Sequence, residues 1–101
     1  MVIEYIRYRI DAENAAAFLT AYEEAGTSLK ASPNCLGYDL ARCTDAPEHF
    51  VLRIHWDSVD GHLKGFRTSS QFQSFFKAVK PFLQNIEEMR HYEPTPLSWS
   101  R

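Results

Sequence analysis

From Val2 to Ile10 the chain alternates. Val2, Ile6, Tyr8 and Ile10 fall on one side, interrupted by Glu4, and Ile3, Tyr5, Arg7 and Arg9 on the other. β-Branched and aromatic residues at a period of two predict a strand. Asp11 stands where a helix cap belongs. After it Ala15, Phe18, Leu19, Tyr22, Gly26 and Leu29 recur at steps of three and four, the apolar stripe of an amphipathic helix. Ser32-Pro33-Asn34 ends that helix, because the residue before a proline resists helical geometry. A second strand runs from about Cys35 to Cys43, where Leu36, Tyr38 and Leu40 alternate with Gly37, Asp39 and Ala41. The turn Thr44–Glu48 leads into a third strand, His49 to Trp56, with Phe50, Leu52, Ile54 and Trp56 on one face and Val51, Arg53 and His55 on the other.

Asp57-Ser58 then caps a short helix with Val59, His62, Leu63 and Phe66 on its inner face. A break at Thr68-Ser69 precedes another helix start, where Ser70 and Gln73 fit a capping box. Phe72, Phe75, Phe76 and Val79 form its apolar face, and it ends near Pro81. Ile86 to Glu93 reads as a fourth strand. The order strand–helix–strand–strand–helix–strand predicts an α+β, ferredoxin-like βαββαβ domain: a four-stranded antiparallel sheet with its helices on one face. This places one domain over residues 1–94 and an irregular C-terminal tail over 95–101. Ile3, Tyr5 and Val51 on the uncovered sheet face predict a homodimer built through that face.

Bulk properties narrow the partners. A chain of 101 residues with a formal net charge of −2 lacks the basic surface that nucleic-acid binding requires. No apolar run approaches the roughly 20 residues that span a bilayer, and Glu4, Arg7 and Arg9 interrupt the N-terminus where a signal peptide is uncharged. A cytoplasmic protein with no nucleic-acid or membrane partner is expected. Cys35 and Cys43, on one extended strand, would lie about 26 Å apart at ~3.3 Å per residue, far beyond the roughly 4.4–6.8 Å between Cα atoms that a disulfide allows. Two free thiols and no metal site are expected, since neither CxxC nor HxxxE spacing occurs.

Three stretches, EYIRYRI (4–10), FVLRIHWDSVDGHLKGFRTSSQFQSFFKAVKPF (50–82) and IEEMRHYEP (86–94), resemble the antibiotic biosynthesis monooxygenase (ABM) domain family. The best signature runs from Trp56 through Ser58, His62, Phe66, Arg67 and Phe72 to Phe76 and Pro81-Phe82. The resemblance implies a dimeric α/β barrel and a family that includes cofactor-free oxygenases of polycyclic phenols, haem-degrading enzymes and quinol-linked oxygenases. Haem degradation is disfavoured: residues 2–10 contain no Asn, and Phe75 and Phe76 stand where those relatives carry a His on the last helix.

His62 is the first candidate for chemistry. On a sheet-facing surface an imidazole must be hydrogen-bonded or bear a desolvation penalty of a few kcal/mol, and burial keeps it neutral, as a general base requires. The alternative is a histidine that bonds a carbonyl or a tyrosine and braces the core. Tyr22 and Tyr38 could assist, since each buried hydroxyl needs a partner. Trp56, Phe66, Phe72 and Phe76 could sandwich a flat ligand or simply fill the core. Arg67 either anchors an anionic substrate at the pocket mouth or sits in a surface salt bridge. Arg7, Arg9, Arg53, His55 and His91 are expected on the opposite face, paired with Glu4, Asp39, Glu87 or Glu93.

The resemblance and the residues together point to cofactor-independent monooxygenation of a polycyclic or phenolic, anthrone- or quinol-like molecule. His62 would be the base, with no cofactor. The competing readings are a non-catalytic dimeric module for a small aromatic ligand and a proton-shuttling isomerase on the same fold.

Overall fold

A computed structural model describes all 101 residues. Its strands are β1 (Val2–Arg9), β2 (Cys35–Arg42), β3 (His49–Trp56) and β4 (Ile86–Tyr92), and its α-helices are α1 (Ala15–Ala31) and α2 (Ser70–Val79). All three strand pairings are antiparallel, in the order β2-β3-β1-β4. This is the ferredoxin-like arrangement. The helices cover one face, because alternation sends Val2, Glu4, Ile6 and Tyr8 of β1 and Phe50, Leu52, Ile54 and Trp56 of β3 to the same side, all buried. Phe18, Tyr22, Ala25 and Leu29 of α1 and Phe75 and Val79 of α2 meet them there. Each fully buried side chain of Leu or Phe size contributes about 1.5–3 kcal/mol.

The departures from the predicted pattern have local causes. Leu36 is exposed because the β2–β3 register slips between Cys35 and Gly37, so the alternation restarts at Gly37. Leu19 is also exposed, and Ala25 takes its place in the inward stripe of α1. Asp11 makes no side-chain cap; a short 3-10 turn over Ala12–Asn14 precedes α1 instead. The cap of α2 lies one residue earlier than predicted: Phe72 N–H donates to Ser69 Oγ at 3.2 Å. α2 ends at Val79, and Pro81 falls in a 3-10 segment over Lys80–Asn85.

The segment between β3 and α2 differs most. Gly61–Gly65 winds as a π-helical turn, closed by the Phe66 N–H bond to Gly61 O, and a 3-10 turn follows over Phe66–Thr68. Ser58 Oγ accepts from Gly61 N–H at 2.8 Å and starts it. The wider winding turns His62 and Phe66 inward but leaves Val59 and Leu63 exposed, although regular α-helical spacing had grouped all four. A π turn is a frequent mark of a functional site. Gly61 and Gly65 let it pack against the end of α1 and β3, where Asn34 Nδ2 donates to Asp57 Oδ2 at 3.0 Å. A Cβ on Gly65 would lie 2.9 Å from Asn34 Cγ. Gly65→Ala should therefore lower stability by about 1 kcal/mol, although alanine is the better helix former. Urea unfolding checks this; a gain in stability would show that Asn34 yields freely.

Candidate active site

An aromatic-walled cavity of about 230 Å³ lies between α2, the π turn and the inner face of the sheet. Trp56, Phe66, Phe72, Phe75 and Phe76 form its walls, with Ile6, Ile54, Val79 and Leu83 between them. Phe76 and Met89 are its exposed apolar lining side chains and, with the exposed Arg67, mark the mouth. Arg67 lines it too, with its guanidinium over the Phe72 ring at 5.5 Å. It takes part in none of the chain's ion pairs.

The polar end is built from three elements. β1 supplies Glu4, β3 supplies Trp56 and the π turn supplies His62; the two ionisable side chains are each only 3% exposed. Trp56 Nε1–H donates to Glu4 Oε1 at 3.0 Å. His62 Nε2 lies 3.4 Å from the same oxygen, and its ring stacks on Trp56 at 4.5 Å between centroids, 7° from parallel. Its other nitrogen, Nδ1, is 2.8 Å from His91 Nε2. Trp56 thus orients both groups, one by a hydrogen bond and the other by stacking.

His91 was expected on the opposite face. A β-bulge moves it: β4 pairs Tyr8 with Ile86 but Arg7 with Glu88, so one residue is skipped and the alternation changes phase. Met89 and His91 then fall beside Ile6 and Glu4, on the cavity side. Glu4 likewise turns inward rather than pairing on the open face. There Arg53 grips Asp39 through two nitrogens, and Glu87 takes Arg7 and His49.

The two tyrosines stand apart from the cavity. Tyr22 Oη is hydrogen-bonded to Tyr8 Oη; Tyr8 lines the cavity, and Tyr22 reaches it only through that bond. Burial pushes the Tyr8 phenol up to about 12 and that of Tyr22 higher still. Tyr38 lies on the edge strand with its hydroxyl against Gly26 of α1. Neither is placed to exchange a proton with a molecule in the cavity.

Burial raises the Glu4 pKa above the ordinary carboxylate value, against the hydrogen bond from Trp56 and the charges of His91 and Arg67. Burial also holds His62 down at about 4, helped by Arg67 and His91. His62 is therefore neutral at pH 7, and Glu4 is a stronger base than a solvated carboxylate. The two affect stability with opposite signs. The depressed His62 contributes stability above its unfolded value of 6.5 that is lost as pH falls toward 4. The raised Glu4 favours the folded state below its unfolded value of 4.5, and that advantage is lost as pH rises through its folded value. Between pH 6.5 and pH 4 a His62→Gln variant should lose less stability on acidification than the wild type, and Glu4→Gln more. Parallel slopes in urea titrations of the three proteins would refute both assignments.

Glu4, His62 and His91 offer one donor atom each within 4.8 Å of one another. His62 turns Nε2 to Glu4 and Nδ1 to His91, so its two neighbours meet different nitrogens of the ring.

A ferredoxin-like sheet with a half-enclosed aromatic cavity and a buried acid–base pair is the frame of a small-molecule enzyme or binding protein. A family model described as antibiotic biosynthesis monooxygenase matches residues 1–78, and this chain belongs to that family. Among solved structures, a candidate antibiotic biosynthesis monooxygenase from Bordetella bronchiseptica is 25% identical with a TM-score of 0.77, over 93% of this chain and 96% of that one. A second candidate, from Deinococcus radiodurans, is 21% identical with a TM-score of 0.74, over 100% and 99%. The uncharacterized protein YczJ of Bacillus subtilis is 21% identical over 76 residues, 75% of this chain and 80% of its own length. No helix of the chain is long and apolar enough to cross a membrane.

Proposed function

We propose that the protein is a cofactor-independent monooxygenase of a small phenolic or quinol-like molecule. The observation that carries the reading is the Glu4–His62 pair at the buried end of an aromatic cavity. Triplet O₂ reacts poorly with closed-shell molecules, so an electron donor is needed, and an anthrone or hydroquinone becomes one on deprotonation to a delocalised anion. At an anthrone methylene, CH₂ and O₂ become C=O and H₂O; a hydroquinone and O₂ become the hydroxylated quinone and H₂O. In both the substrate supplies the electrons, one oxygen atom enters it, and the other leaves as water. The protein's share is a base, a dry pocket and a fixed orientation. Glu4 and His62 are the basic pair, Trp56, Phe66, Phe72 and Phe76 hold the ring, and Arg67 faces the anion that forms. A cavity of about 230 Å³ is below the ~300–1,000 Å³ typical of ligand pockets, which favours the phenol and quinol end of the range over larger polycycles.

The test is oxygen uptake with a panel of anthrones and hydroquinones. Uptake stimulated by the wild type and lost in the Glu4→Gln, His62→Gln double variant supports the reading; no stimulated uptake across the panel ends it. One observation favours a non-catalytic binding module instead: His62 is buried, stacked on Trp56 and bonded through Nδ1 to His91, as in a histidine that only braces the core. Ligand binding without turnover would mark that case, and proton exchange into a bound ligand without O₂ would mark an isomerase.

The same reading includes a homodimer. The half-buried Ile3, Tyr5 and Val51 and the exposed Tyr92 give the uncovered sheet face an apolar surface, with Tyr5 edge-on to Tyr92 at 5.0 Å. A second copy would bury it. Tyr5→Glu with Val51→Glu should convert a dimer to a monomer in sedimentation; a wild type that sediments as a monomer refutes this. The unpaired Cys35 and Cys43 fit a reducing, cytoplasmic setting.

A further inference from the structure

We propose that Glu4 is the group that takes the substrate proton, and that His62 and His91 form a relay carrying it between the cavity and solvent. The inference rests on the oxygenase reading for the identity of the proton donor, but not for the existence of the relay.

Atom by atom, the partners leave little choice. Trp56 Nε1–H and His62 Nε2 both address Glu4 Oε1. Glu4 Oε2 has no hydrogen-bond partner, yet no unpartnered side-chain oxygen or nitrogen is sealed from solvent contact. Glu4 lines the cavity, so Oε2 opens into it. His62 Nδ1 is taken by His91 at 2.8 Å, and its Nε2 faces Glu4 at 3.4 Å, so the imidazole stands between the carboxylate and the second ring. His91 is exposed and lies outside the cavity lining, so it ends the chain at the solvent side. The three residues thus form one contiguous cluster from a buried oxygen to bulk water. The groups that bias this cluster from its other sides are Arg67 and, on β1, Tyr8.

The transfer balances without electrons. A substrate O–H bond breaks as an O–H bond forms on Glu4. The proton passes to His62 Nε2 as the proton on His62 Nδ1 passes to His91 Nε2, and His91 releases one from Nδ1 to water. Run in reverse, the relay returns a proton to the oxygen that leaves the peroxide as water, and both rings recover their tautomers. Since His62 gives a proton as it takes one, it never has to hold a charge in its buried place.

The relay is tested without a substrate by long-range proton–nitrogen NMR of ¹⁵N-labelled protein across a pH titration. Glu4→Gln is expected to move the titration of His91 by about half a unit or more. The same change made beside His62→Phe, which keeps a ring stacked on Trp56, should move His91 clearly less, because only the direct attraction across space remains. A His91 indifferent to Glu4→Gln, or one that responds as fully when His62 is Phe, overturns the relay; the second result is charge attraction across space alone. With an active substrate, His91→Ala should slow turnover about tenfold at unchanged KM and recover with added free imidazole. Wild-type turnover in that variant also overturns it. Coupled titration without oxygen uptake keeps the relay and removes the oxygenase reading, and uptake with independent titrations does the reverse.

Discussion

Replacing Trp56 by alanine is expected to destabilise the fold by about 3–5 kcal/mol, in the range for truncating a buried large aromatic. That is a large part of the roughly 5–15 kcal/mol that holds a domain together. Trp56 is fully buried and ties three things at once: it packs on Phe66 at 4.9 Å, stacks on His62 and donates to Glu4. Removing it leaves a cavity, an imidazole without its stacking partner and a buried carboxylate without its donor. Trp56→Phe keeps most of the volume and loses the N–H, so it should cost about 1–3 kcal/mol. Urea unfolding of the two variants separates packing from hydrogen bonding. Equal losses would mean that the ring's packing contributes nothing, and an unchanged Trp56→Phe would mean that the bond to Glu4 contributes nothing.

The largest effect on activity is expected at Glu4, and it should run against stability. Glu4→Gln keeps the shape and the acceptor oxygen for Trp56 but removes the basic site, so turnover should fall by about 10²–10⁴-fold. Folding stability at neutral pH should be unchanged or slightly higher, because burial disfavours the ionised carboxylate that the substitution removes. A group kept for structure would behave in the opposite way, with stability lost along with activity. Initial rates of oxygen uptake together with urea midpoints decide between them. Undiminished uptake in Glu4→Gln would move the base elsewhere.

How far the site could be read from the sequence follows from how regular each element is. β1 and β3 keep strict alternation, and their inward sets, including Trp56, follow from period two. The aromatic spacing of α2 likewise puts Phe75 and Val79 inside and Phe72 and Phe76 beside the cavity. His62 is inward as predicted, though by a π turn that releases Val59 and Leu63. His91 was hidden by a one-residue bulge in β4, because nothing in IEEMRHY marks where the extra residue falls. Glu4 is visible in the sequence only as a break in the apolar side of β1. Alternation alone does not separate a functional acid from an ion-pair partner, although burying a lone carboxylate there is costly enough to signal function. Tyr22 and Tyr38 are partnered by Tyr8 and Gly26, contacts across elements that no local pattern encodes.

On the proposed oxygenase reading, one oxygen atom of O₂ enters the substrate with only the protein's own side chains taking part. The direct measurement is turnover under ¹⁸O₂ by protein freed of metals and flavins, with the label followed by mass spectrometry in the product and in water. One labelled atom per product molecule and one in water, undiminished by a chelator, is the predicted result. Product oxygen drawn from solvent, or turnover that returns only when a metal or flavin is added, would contradict it.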